Sequence, residues 1–163
     1  MSTSLFRQVR RVAVTDELAT GQRYDYADSF EVDAGVPDPL APRSWLAAGL
    51  EDSPAIVRVL ATVLLRVQDE PAANVEDLVD WEVLESTPEL IYIERSLPLL
   101  HVTLIGRRLG SSGRRLTTLL TYRRPLLSRS LWAFAGVGHR LGVRRLICHG
   151  LPARTAVAGA AGR

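Results

Sequence analysis

The chain has no lysine, one cysteine, and no acidic residue beyond Glu94. Each shortage excludes something. A single thiol, Cys148, cannot close an internal disulfide and lacks the second cysteine that structural zinc spacings require, which fits a reducing compartment. No uncharged apolar run approaches the roughly 18 to 20 residues needed to cross a bilayer, so no membrane span is expected. The opening "MSTSLFRQVRRVAVTDEL" has no continuous apolar stretch ahead of its charges. A secretory signal is therefore not expected either, and a cytoplasmic location follows. With lysine absent, every permanent cation is an arginine, for which a GC-rich genome is the simplest reading.

What is present is ample apolar material. Of 163 residues, 47% are apolar and 23% charged, enough for one domain that folds without staples and buries roughly 70% of the surface its unfolded chain exposes. The charge is strongly polarised. Up to Glu94 there are 18 acids and seven arginines; from Arg95 onward there are 13 arginines and no acid. Two such halves packed together should pair arginines after position 94 with acids up to it.

Residues 1–23 read as an N-terminal arm that includes a short strand or ordered segment around Val9, Val12 and Val14. "YDYADSFEV", from Tyr24 to Val32, alternates aromatic and polar residues as a strand does, and ends in the proline-rich "DAGVPDPLAP". A short helix is expected from Arg43 to Leu50. A second begins at Ser53 and Pro54, a capping residue and a residue suited to the first helical position, and repeats Ile56, Leu60, Val63, Leu64 and Val67 at helical spacing. From Asp80 the period becomes two. "DWEVLE", "LIYIERS", "LHVTLIGRRL" and "RRLTTLLTYRR" are separated by turn residues, as in an antiparallel meander. After Pro125 a helical pattern runs to about Cys148, followed by a small-residue tail over 151–163 that is expected to be disordered.

The fold class is therefore α+β: an antiparallel β-meander sheet wrapped on a long C-terminal helix, with two helices inserted after the first strand. On the last strand Leu116, Thr118, Leu120 and Tyr122 share one face and form the expected inner row. Alternation alone does not decide which face Ile91 with Ile93, or Val102 with Leu104, present. Around the terminal helix at 100° per residue, Leu127, Leu131, Phe134, Gly138 and Leu141 fall on one side and Arg129, Arg140 and Arg144 on the other. The first set is expected to face the sheet and the arginines to face water. Gly136, Gly138 and Gly142 suggest a kink or a close backbone approach in that helix.

Three stretches, "DYADSFEV", "LLHVTLIG" and "GVGHRLGVRRL", resemble a bacterial family of unknown function within the START-like helix-grip superfamily, which includes polyketide cyclases and the birch pollen allergen. The resemblance covers about residues 24 to 150. It implies a curved antiparallel sheet gripping the last helix around a cavity, with no established activity. A mostly apolar pocket with few polar groups suits a hydrophobic or amphipathic small molecule. Candidate lining residues are Tyr92, His101, Tyr122, Leu131, Phe134, Gly138, His139 and Leu141.

Rival readings compete for the arginine-rich end. "GVGHRLG" has the spacing G-x-G-x-x-x-G and lies within a helical pattern, so it is not the dinucleotide loop that follows a strand. Nucleic-acid binding through arginine and Trp132 or Tyr122, or a membrane-surface helix, would use the same residues. Neither is the expected partner once four strands need an apolar cover. His101, His139 and His149 lie on a strand, mid-helix and at a helix end, with no metal-pair spacing, and no cofactor is expected. His139, or His101, working with Tyr92 or Tyr122 would be the acid and base of a cyclase- or dehydratase-type enzyme. Cys148 reads as a quiet thiol. Glu82 and Glu85, three apart on a strand, point to opposite faces.

Overall fold

A computed structural model describes residues 8–51, 78 and 81–152. Its elements run β1 (Arg10–Val12), α1 (Glu17–Thr20), β2 (Tyr26–Asp33), α2 (Pro42–Glu51), β3 (Glu82–Ser86), β4 (Leu90–Ser96), β5 (Leu100–Leu109), β6 (Gly113–Tyr122) and α3 (Pro125–Cys148). The helix expected from Ser53, and the tail beyond Pro152, lie outside the described residues.

The six strands form one antiparallel sheet in the order β1-β2-β6-β5-β4-β3. The four-strand meander follows from local chemistry. β-branched and aromatic residues favour the pleat, and turn residues reverse the chain between strands. Between β5 and β6, Gly110 supplies a left-handed φ of 59°, which a side chain rarely adopts. The meander closes back on β2, whose eight residues pair with β6 from Tyr26↔Leu120 to Asp33↔Gly113.

Register settles the faces. Phe30, Leu116, Gly106 and Ile91 stand in one cross-strand row, and Asp28, Thr118, Leu104 and Ile93 in the next. These rows, with Val102, face the helices. Trp45 and Leu46 of α2 and Val143, Leu146 and Ile147 of α3 pack with them into the main core. The result is helix-grip-like in a general sense: an antiparallel sheet with a long C-terminal helix across one face. Gly106 makes room for the Trp45 ring, since a Cβ there would lie 3.1 Å from it. Gly49 does the same between helices, with a Cβ position 2.8 Å from Leu146. The opposite face is covered by the N-terminal segment, where Ala19 of α1 packs on Leu90, Ile105 and Leu119.

The polarised charge is met in part within the fold. Arg107 pairs with Asp16, Arg108 with Glu89, Arg114 with Asp38 and Arg115 with Glu31, each joining a cation of the second half to an acid of the first. Most are partly hydrated. Arg114 and Asp38 are not: both side chains are buried, the guanidinium donates to the carboxylate at 2.6 and 2.8 Å, and it stacks on Trp45. The same guanidinium donates to the carbonyls of Ile147 and His149, tying the end of α3 to β6.

The orientation of α3 departs from expectation. Its buried side is Ser128, Gly136, Val143, Leu146 and Ile147, whereas Leu127 and Leu141 are 56% and 51% exposed. Gly138 is exposed, and a Cβ there meets nothing within 4 Å, so the helix makes no close approach at that glycine or at Gly142. The side chains of Leu131 and Phe134 lie outside the described residues. Arg129 and Arg140 are exposed as expected, although Arg140 also reaches back to the Tyr26 hydroxyl, while Arg144 is only partly exposed. The physical reason is polar anchoring. Ser128 Oγ donates to the Leu99 carbonyl, and His139 meets Asp28 on the helix face of β2, and both must lie on the inward side for these bonds to form.

Candidate functional site

A polar cluster stands on the helix face where β2, β6 and the middle of α3 meet. Tyr26 and Asp28, two apart on a strand, point the same way; Trp132 and His139, seven apart on a helix, do likewise. The Tyr26 hydroxyl donates to Asp28 Oδ2 at 2.6 Å, and His139 Nε2 lies 3.4 Å from Asp28 Oδ1. Trp132 sits edge-on to Tyr26 and tilted on His139, with ring centroids 4.9 and 4.8 Å away. Asp28 has a fully buried side chain.

Burial pushes the Asp28 carboxyl up, but the hydrogen bonds from His139 and the Tyr26 hydroxyl and the charge of Arg11 outweigh it and hold the group below the ordinary carboxylate range. It is ionised at neutral pH. Burial, then the hydrogen bond and charge of Asp28, push the Tyr26 phenol up, against the opposing pull of Arg140 and Arg11. An ionised carboxylate can only accept, so the His139 nitrogen facing it carries the proton and a neutral ring leaves its lone pair on Nδ1. Nδ1 has no hydrogen-bond partner among the described residues.

Thr118 adjoins this cluster. It is the cross-strand partner of Asp28, and its Oγ1 is buried with no hydrogen-bond partner among the described residues. Such a group costs about 1–3 kcal/mol unless something satisfies it.

The other residues expected at a cavity are placed elsewhere. Tyr122 ends the helix-face row and is partly buried; its phenol is pushed up by burial and by Asp25. Tyr92 and His101 lie on the opposite face of the sheet from α3. There Tyr92 accepts from Gln22 at 2.7 Å and donates to Glu94 at 3.0 Å, and His101 contacts Ser96 at 3.0 Å and Glu94 at 3.3 Å. His139 therefore converges with Tyr26 and Asp28, and not with Tyr92 or His101. Gly138 and Leu141 are exposed. Burial pushes the Cys148 thiol up to about 11 despite Arg114 and Arg144, which leaves it protonated and unreactive at neutral pH.

Thr118 stands on the expected inner row of β6, whereas Asp28 and Tyr26 are site residues that sequence reasoning passed over. The signal for Asp28 was available: it shares the strand face of Tyr26 and Phe30, and an acid on an apolar face needs a partner. Among the described residues no cluster of three or more histidine, cysteine or acidic side chains is placed to hold a metal ion, and no helix is long and apolar enough to cross a membrane. No protein-family model, curated protein or solved structure matches the chain.

Proposed function

We propose that the chain binds an apolar or amphipathic small molecule between β2, β6 and α3, with a hydroxyl of the ligand seated at the Asp28–His139–Thr118 cluster. The observation that carries this reading is the unpartnered Thr118 hydroxyl, buried beside an ionised Asp28 and beneath the middle of α3. A ligand hydroxyl has one proton to give and lone pairs to receive. It matches an imidazole Nδ1 that accepts and a threonine Oγ1 that can donate, while Trp132 offers an apolar wall.

The test is Thr118→Val, a change of nearly equal shape. Removing an unsatisfied buried hydroxyl should leave the protein as stable or up to about 2 kcal/mol more stable, while weakening a long-chain alcohol that displaces an environment-sensitive apolar dye by about five- to tenfold. Unchanged alcohol affinity, or a loss equal for the alcohol and the corresponding alkane, would contradict the proposal.

A second reading rests on the Asp28–His139 pair itself. A histidine oriented by a buried carboxylate is suited to removing a proton beside a carbonyl, the step that opens a cyclase- or dehydratase-type reaction. His139→Gln would then abolish turnover of a hydroxy-ketone while its binding persisted. Loss of binding alone would assign His139 to recognition.

A further inference from the structure

The outward side of α3 is unusual for a water-facing helix. Opposite the buried Ser128, Val143 and Leu146 and the half-buried His139 lie Leu126, Val137 and Leu141, with Leu127 at the margin. Leu126 is 84% exposed and Val137 65%, so these side chains are left to water by the sheet and by α2. Exposed arginines flank the stripe, Arg129 and Arg140 on one side and Arg145 on the other. The helix contains no acid, and none occurs anywhere after Glu94.

We infer that this face of α3 docks lengthwise on an anionic lipid surface. The pattern is that of an interfacial helix, in which apolar side chains enter the boundary of headgroups and acyl chains while arginine stems lie along the surface and place their guanidinium groups among the phosphates. The 24-residue helix is about 36 Å long at 1.5 Å per residue, so the stripe from Leu126 to Leu141 can lie flat on the surface. Charge argues against the rival occupants. A second copy docked through the same face would oppose arginine to arginine with no acid on either helix. Nucleic acid would draw the arginines but leave four large apolar side chains exposed to water or against phosphate. Such seating requires neither a cavity nor a ligand, and stands whether or not the Asp28 cluster binds one.

The experiment is co-sedimentation of the purified full chain with vesicles of phosphatidylcholine alone and of phosphatidylcholine mixed with phosphatidylglycerol. Two double variants accompany it: Val137→Asp with Leu141→Asp, and Arg129→Gln with Arg145→Gln. All four positions are exposed, and thermal unfolding serves to check that each variant is folded. The expected result is binding to the anionic vesicles only, weakening with added salt, and lost in the aspartate variant. Each arginine removed should lower partitioning by about fivefold, or roughly 25-fold for the pair. The inference is overturned by absent binding to anionic vesicles, by equal binding to neutral ones, or by undiminished binding of the aspartate variant. It is equally overturned if the wild-type chain is a dimer that the aspartate substitutions dissociate, or if an oligonucleotide binds the chain while anionic vesicles do not.

Discussion

Replacing Asp38 by asparagine removes one charge and changes almost no volume, at the most buried ion pair described in the fold. Arg114 is 0% and Asp38 1% exposed, and the two share bonds of 2.6 and 2.8 Å, so little water stands ready to take the place of the lost charge. The carbonyls of Ile147 and His149 remain as acceptors, and the Trp45 face remains beneath the guanidinium, but neither carries a full negative charge. Breaking a buried pair from one side costs about 3–5 kcal/mol, because the surviving ion is left uncompensated. For a chain of this length each kcal/mol moves the melting temperature by about 2–4 °C, so the drop in Tm should be about 6–20 °C. Circular dichroism of the wild type, Asp38→Asn, Arg114→Gln and the double variant completes a cycle. The double loss should fall short of the summed single losses by about 1–3 kcal/mol. A fall of under about 2 °C for Asp38→Asn, or additivity of the two changes, would mean that the pair is hydrated in solution and that the argument from burial fails.

Three further outcomes rest on particular residues. Gly106→Val would set a Cβ 2.8 Å from Ile91 Cγ2 and 3.1 Å from the buried Trp45 ring, and should lower stability by about 1–3 kcal/mol. Gly138→Leu enters open space, and should leave stability unchanged or raise it by about 1 kcal/mol through helix propensity; urea denaturation separates the two, and equal losses would place α3 closer to the sheet than described. Acid should weaken the fold, because Asp16, Asp28, Glu31 and Asp38 all titrate below their ordinary range: burial pushes each up, and hydrogen bonds with opposing charge more than reverse it. A carboxyl depressed in the folded state binds protons more readily when unfolded, so its contribution is complete above the unfolded values of about 3.9 to 4.3 and is lost as pH falls through the folded ones. The urea midpoint should thus be level above about pH 5 and decline below about pH 4, and a midpoint that rises on acidification would contradict the assignments.

The strands were legible because their signals are local. Alternation in "LIYIERS" and "LHVTLIGRRL", with turn residues between, places β4 at Leu90–Ser96 and β5 at Leu100–Leu109. Pro125 marks the start of α3 for an equally local reason, since it suits a first helical turn and fails in a strand. The cover on the second sheet face was not legible. α1 is four residues long, too short for a periodic pattern, and it is held by the Asp16 side chain accepting from Leu18 N and pairing with Arg107, 91 residues away in sequence. Nothing in residues 1–23 announces that partner.

The rotation of α3 exposes a deeper limit of reading a helix by its apolar stripe. Leu127 and Leu141 suggested one inward side, but apolar residues occur nearly all round this helix, so hydrophobicity alone gives its orientation little leverage. Polar residues decide instead, because a misplaced apolar side chain loses only its share of burial, whereas a buried polar atom without a partner costs about 1–3 kcal/mol. Ser128 has the Leu99 carbonyl within 2.8 Å and His139 has Asp28, and turning α3 by one residue would break both contacts and leave the buried Asp28 carboxylate with Tyr26 as its remaining side-chain donor. The apolar residues displaced by this choice become the outward stripe of Leu126, Val137 and Leu141. The polar cluster proposed to meet a ligand and the apolar face proposed to meet a membrane are thus two sides of one decision about how the helix lies.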